Sequence, residues 1–326
     1  MGKFFSYNVR YFSPDWFLAL LFGCFYWWLI GWVFYAHSLV GYIVKNILLM
    51  KYILITQNMP SPMVYSLHMA KVKRTPLVIG NWKMHPATLE AAKRLGKDVV
   101  TKALKARGTA SCDIGIAVPT LYFDEIGKIT KGKPIMLGAQ NAAAGAVGAE
   151  TGEVSAGMLA ERRAAFVIVG HSERRARGED NAQVTARAAG VLAAKMIPVV
   201  CIGEQSRDAE GDFYHIVHEQ LDAVFANLGG TAATRVVVAY EPVWAIGTGL
   251  TPTAEDVSTM RLAIKKYLHE KYGDAVANKV RVLYGGSVTE ENALEFMQNG
   301  MIDGFLVGGA SLEAVRFAVI IKACIA

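Results

Sequence analysis

Residues 69–326 predict an α/β domain folded as a closed (β/α)8 barrel, and three observations carry that prediction. Eight short Val/Ile/Leu-rich runs recur along the segment, helical patterns fall between them, and polar or glycine residues follow several of the runs. The runs lie at 77–80, 114–118, 135–137, 166–169, 197–202, 236–239, 280–283 and 305–307. They are apolar on successive rather than alternate residues, so each reads as a strand covered on both faces, as between outer helices and a filled barrel interior. Eight such repeats in about 250 residues match a closed parallel barrel. An open doubly wound sheet is disfavoured, because no Gly-x-Gly-x-x-Gly follows the first run.

The helices follow in order at 88–106, 157–164, 181–194, 214–226, 254–269, 290–298 and 312–323, with a weaker candidate at 122–127. Each has apolar residues at helical spacing and charged residues between them. Residues 1–68 have no place in this pattern. Within them, 16–44 is a run of 29 residues without a formal charge, rich in Trp and Tyr. That exceeds the roughly 20 residues a helix needs to cross a bilayer. The run is too aromatic for a usual signal-peptide core, and no small-residue cleavage motif follows closely. Two readings stand for it. It is a hydrophobic membrane-spanning helix that anchors the chain, or it lies upstream of a working start at Met69. The shorter apolar stretch 47–55, broken by Lys51, suits the membrane interface. Lys45, Lys51, Lys71 and Lys73 favour a cytoplasmic barrel, while Lys3 and Arg10 on the other flank weaken that bias.

The 326-residue chain is 53% hydrophobic and 19% charged with a formal charge of +6. Its basic clusters are not interleaved with aromatics, so a nucleic-acid partner is not expected. Of the four cysteines, Cys24, Cys112, Cys201 and Cys324, none forms a Cys-x-x-Cys pair, and a reducing compartment is the expectation. Cys201 reads as a core thiol.

Active sites of such barrels form at the C-terminal strand ends. The runs there end in Asn81-Trp82-Lys83, Gly170-His171-Ser172-Glu173, Tyr240-Glu241-Pro242, Tyr284-Gly285-Gly286-Ser287 and Val307-Gly308-Gly309-Ala310. Lys83 supplies a cation, His171 a ring donor and Glu241 a carboxylate. The glycine pairs, with Ser287, offer backbone N–H groups to a phosphate. No metal or cofactor is expected.

NWKMH at 81–85, GHSERR at 170–175, YEPVWAIGTG at 240–249, LYGGSV at 283–288 and LVGGASL at 306–312 resemble the triosephosphate isomerase family. QN at 140–141, TGEVS at 151–155 and CIGE at 201–204 agree with it. The resemblance covers 76–322 and implies a TIM barrel that interconverts D-glyceraldehyde 3-phosphate and dihydroxyacetone phosphate, a reversible step of glycolysis and gluconeogenesis. It implies Glu241 as catalytic base, His171 as neutral electrophile and Lys83 as the cation steadying an enediolate. Asn81 is implied as a substrate-orienting donor and Glu173 as a partner of the Lys83–His171 arrangement. Gly247, Ser287, Gly308 and Gly309 are implied at the phosphate, and Pro242, Val243, Trp244, Ala245, Ile246, Gly247, Thr248 and Gly249 form a hinged lid. The partner implied is a small phosphorylated triose, with a homodimer formed through the loop at 148–153 that carries Thr151. The alternative left open is a non-catalytic barrel serving as a membrane-tethered interaction module.

Two departures from the family pattern are visible. Glu150 places an acid in the dimer loop where a less charged residue is usual, and Lys195-Met196 replaces a usual Gly-Leu. A left-handed backbone at Lys195 would cost roughly 1 kcal/mol relative to glycine.

Overall fold

The computed structural model describes residues 74–208, 211, 213–245 and 250–326. The predicted anchor at 16–44 and the boundary at 68/69 lie outside them, as do Ile246, Gly247, Thr248 and Gly249 of the lid.

Eight parallel strands close on themselves in chain order. They are β1 (Leu77–Asn81), β2 (Asp113–Val118), β3 (Met136–Ala139), β4 (Phe166–Val169), β5 (Ile197–Ile202), β6 (Val237–Tyr240), β7 (Arg281–Tyr284) and β8 (Gly304–Val307). Closure runs through β1 and β8, with Leu77 opposite Gly304 and Gly80 opposite Val307. All eight coincide with the apolar runs to within two residues at either end.

The double burial predicted for these strands has a simple origin in the pleat. Leu77, Ile79, Phe166, Ile168, Val199 and Cys201 belong to a cluster filling the barrel interior, while the residues alternating with them pack under the helices. Phe166 occupies so much of the interior that a Cβ on Gly138 would lie 2.2 Å from its ring, so β3 needs glycine there. Cys201 is a buried free thiol, as are Cys112 and Cys324.

The outer layer comprises α1 (Leu89–Arg107), α2 (Phe123–Thr130), α3 (Ala156–Glu161), α4 (Ser172–Arg175), α5 (Asn181–Ala193), α6 (Phe213–Phe225), α7 (Gly230–Ala233), α8 (Ala254–Tyr272), α9 (Asp274–Ala277), α10 (Ala293–Gln298) and α11 (Ala314–Ala323). Several of them start at a side chain that accepts an otherwise unpaired N–H group. Thr88 caps α1, Ser155 caps α3, and Asp180 with Gln183 and Thr253 with Asp256 form reciprocal capping boxes. Helix α3 stops three residues earlier than the periodicity predicts, because Arg163 turns left-handed at φ 65°. Helix α8 runs three residues further, until Gly273 at φ 79° ends it. Lys195 is left-handed at φ 64°, so the departure seen in the sequence carries the backbone strain anticipated for it.

At the N-terminal ends of the strands, the base of the barrel, Asp303 ties three strands together. Its carboxylate accepts from Arg74 at 3.0 Å and from the Val282 N–H at 2.9 Å, and Lys265 Nζ stands 3.6 Å away. Its own backbone bonds to Leu77 and Val282. Lys265 is fully buried and donates to the carbonyls of Ala277 and Val280. Burial pushes its ammonium down to about 7, against the pull of Asp303. No helix among the described residues is long and apolar enough to cross a membrane.

Candidate active site

The opposite end of the barrel gathers Asn81, Lys83, His171 and Glu173, together with Gln140, around one open cleft of ≈ 580 Å³. Lys83 follows β1 in a left-handed backbone, φ 51°, which costs a lysine roughly 1 kcal/mol. Three polar contacts impose that turn. The Lys83 N–H donates to Asn81 Oδ1 at 3.0 Å, and Gln140 Nε2 donates to the Lys83 carbonyl at 2.8 Å and to the Ala117 carbonyl at 3.1 Å. A locally strained residue held by its surroundings is characteristic of functional sites. The result is a Lys83 ammonium 2.6 Å from Glu173 Oε1. Partial burial works against ionisation of Glu173, but the hydrogen bond and charge of Lys83 outweigh it and hold the carboxyl below its usual range.

His171 caps the short helix α4, and this decides which ring nitrogen can donate. The Glu173 N–H donates to His171 Nδ1 at 3.2 Å. An acceptor at Nδ1 leaves the ring proton of a neutral imidazole on Nε2. Nε2 lies 3.2 Å from Glu241 Oε1.

Glu241 follows β6 and is almost wholly buried, with 1% exposure. Its backbone N–H donates to the Ile202 carbonyl at 2.8 Å, anchoring it to the end of β5. A Cβ on Gly203 would stand 1.7 Å from the Glu241 carbonyl oxygen, so that close approach requires glycine. Oε2 accepts from the Ser172 N–H at 2.8 Å, whereas Oε1 has no hydrogen-bond partner. One oxygen is thus held by the backbone, while the other faces the His171 ring nitrogen. Cys201 adjoins the carboxylate, and burial together with the Glu241 charge pushes the thiol well up, so it stays protonated.

The glycine-rich rim stands beside this cluster. A Cβ on Gly308 would be 3.5 Å from Lys83 Cε, and Gly309 opens a short 3-10 turn, Gly309–Leu312. Ser287 is exposed beyond β7 and its carbonyl accepts from Asn292. Thr151 is exposed on the long loop after β3. The first lid residues, Val243–Ala245, form a 3-10 turn after the buried Pro242.

Sequence reasoning missed the group that holds this turn. Glu204 is fully buried after β5, and its Oε1 accepts from Tyr240 at 2.8 Å, from Trp244 Nε1 at 2.9 Å and from Arg207 at 3.1 Å. Arg207 also lies over the Trp244 ring, 4.9 Å from its centre, and pairs with Asp256. Burial, with the Glu204 charge, raises the Tyr240 hydroxyl and keeps it a donor. Gln140 was likewise left without a role. Both lie inside the short matches QN and CIGE, which were the only signals available.

Among the described residues no cluster of histidine, cysteine and carboxylates has the grouping to hold a metal.

A parallel barrel with an ionisable cluster and a glycine rim at its C-terminal strand ends places the chain among (β/α)8 enzymes. Comparison with known sequences narrows this to one family. The family model for triosephosphate isomerase matches residues 76–324. Triosephosphate isomerases of Herminiimonas arsenicoxydans, Porphyromonas gingivalis and Salmonella paratyphi B are 42%, 40% and 41% identical to it. Each alignment spans 77% of this chain and 97–99% of the relative. The chain belongs to the triosephosphate isomerase family, and it is an isomerase.

Proposed function

We propose that the chain interconverts D-glyceraldehyde 3-phosphate and dihydroxyacetone phosphate through an enediolate, with Glu241 as the base. Glu241 takes the proton from the carbon beside the carbonyl, and the C–H electron pair moves into a carbon–carbon double bond. The carbonyl π pair moves onto its oxygen. That oxygen is met by His171 Nε2–H and the Lys83 ammonium, donors already in place before charge develops. Neutral imidazole suits this task, because its donor strength matches a weakly basic enediolate oxygen. Glu241 then returns the proton to the neighbouring carbon, while a hydroxyl proton passes between the two oxygens. The observation that carries this reading is the Glu173 N–H on His171 Nδ1, which aims the ring's donor nitrogen at the space beside Glu241.

Asn81 orients the substrate, Glu173 steadies Lys83 and His171, and the backbone at Gly247, Ser287, Gly308 and Gly309 holds the phosphate. Residues 242–249 close over the site and exclude water, which protects the enediolate from losing phosphate. The Trp244–Glu204 bond supports this reading by fixing the leading end of the segment.

The test is Glu241→Asp, which withdraws the carboxylate by one methylene. It should lower kcat about 100-fold in a folded protein, the usual effect of a displacement near 1 Å. A near-normal kcat would remove Glu241 from the role of base.

Two further parts of the reading concern assembly. The loop at 148–153, with Thr151 at its tip, docks into a second copy to make a homodimer, supported by the exposed Met84, Leu121 and Val147. Sedimentation of the full chain in detergent as a monomer at micromolar concentration would contradict it. Residues 16–44 tether a cytoplasmic barrel that begins near Met69.

A further inference from the structure

The base of the barrel carries a crescent of cations that the isomerase chemistry does not use. Lys131 and Lys133 precede β3, Arg163 precedes β4, Lys195 precedes β5 and Lys279 precedes β7. β3, β4 and β5 follow one another around the closed barrel and β7 stands one strand further on, past β6, so their leading loops lie along one side of the base. All five side chains belong to exposed residues, and none forms an ion pair among the described residues. The acids nearby are mostly committed: Asp113 holds Arg281, Asp124 holds Arg162, Glu125 holds Lys128 and Lys93, and Asp274 holds His269, leaving Glu161 to dilute the arc.

Two observations set this arc apart from an ordinary solvated face. Arg163 and Lys195 both sit at left-handed positions, φ 65° and 64°, where glycine is the unstrained residue. A cation stands at each in spite of that backbone cost. Two clefts also open beside the arc. One of ≈ 650 Å³ is lined by Lys128, Lys131, Arg162 and Arg163 against Asp124 and Glu125, and the other, ≈ 590 Å³, by Arg74, Arg235, Lys279 and Arg281 against Asp113. Each is large enough for a phosphate-bearing headgroup.

The other end of the barrel has the opposite balance. Among the described residues, the loops 203–208 and 285–292 at the mouth hold four acids against one arginine. The chain enters the barrel at its base, through Arg74 into β1, and the 29 uncharged residues at 16–44 lie a short way upstream.

We propose that the base of the barrel docks on an anionic lipid surface, with the active-site mouth turned away from it. A cluster of four to eight exposed cations attracts acidic headgroups, and the attraction acts within a Debye length. Nucleic acid fits less well, since the loops 131–135, 162–165, 194–196, 226–236 and 273–280 contain no aromatic residue on which a base could stack. The proposal gains from the tether read above but does not require it.

The test follows amine-reagent labelling of individual lysines in the full chain mixed with vesicles. With phosphatidylcholine containing one third phosphatidylserine, labelling of Lys131, Lys133, Lys195 and Lys279 should slow about fivefold relative to phosphatidylcholine alone. Labelling of Lys97, on the outer face of α1, should not change. Salt at about 0.5 M should abolish the difference. The combined variant Lys131→Glu, Lys133→Glu, Arg163→Gly, Lys195→Gly should lose protection at Lys279 while keeping its isomerase rate. Equal labelling in both vesicles, or protection that survives the variant, overturns the proposal. So does equal protection by polyuridylate RNA with phosphatidylcholine vesicles, which would make the base a general polyanion surface. Isomerase activity measured in the same samples reports on the catalytic reading separately. Flotation with phosphatidylcholine alone reports on the tether.

Discussion

Asp303 at the base and Glu241 at the mouth are both buried carboxylates beside strand ends, but they are held in opposite ways. Asp303 has both oxygens engaged, by Arg74 and by the Val282 N–H with Lys265 behind it. Glu241 has one oxygen engaged by Ser172 and the other without a hydrogen-bond partner, 3.2 Å from a ring nitrogen. The difference teaches how one fold separates stability from chemistry. A carboxylate whose lone pairs are all committed holds strands together and cannot readily accept a proton. One left half-committed, as at Glu241, leaves an oxygen open to a further partner at the cost of an unsatisfied atom.

If that contrast is right, substitutions at the two ends should separate cleanly. The largest effect expected is on stability, from Asp303→Ala. It strands the buried Lys265 and frees Arg74, and should destabilise the barrel by about 3–5 kcal/mol. Chemical denaturation measures this, and kcat of the fraction still folded should be unchanged. A fall in kcat with little loss of stability would erase the distinction. At the mouth, Lys83→Met should lower kcat/KM by about 100- to 1000-fold, the range for removing one charge-stabilising donor. Its melting temperature should change little, because methionine keeps the same left-handed backbone and only a partly exposed ion pair with Glu173 is lost. Unchanged kinetics would take Lys83 out of the site. The smallest effect sharpens the comparison from the base. Lys195→Gly should stabilise by about 1 kcal/mol by relieving a left-handed backbone, with no kinetic change. A loss of stability would mean that Lys195 makes contacts worth more than its strain.

How much of this was legible in the sequence follows from where the information lies. The strands could be located because burial on both faces leaves unbroken Val/Ile runs such as 197–202 and 166–169. Helices of three turns or more announced themselves by periodicity. The four-residue helices α4, α7 and α9 did not, since one turn cannot establish a period. Helix ends were off where a single residue turned left-handed, as at Arg163, which no pattern of apolar residues marks. Lys83, His171 and Glu241 stood out because they follow strand runs as isolated polar residues. Gln140 and Glu204 did not, because their importance lies in partners 57 and 40 residues away along the chain. The tautomer of His171 was equally out of reach, being fixed by one backbone N–H that only the turn into α4 supplies.

The measurement that bears most directly on the account is turnover of glyceraldehyde 3-phosphate in D2O by the full chain and by its Glu241→Gln variant. A base that exchanges its proton with solvent predicts dihydroxyacetone phosphate carrying solvent deuterium on the carbon that gained hydrogen. The folded variant should lose both turnover and deuterium incorporation. Full turnover by Glu241→Gln, or deuterium incorporation that persists in that variant, would contradict proton transfer through Glu241.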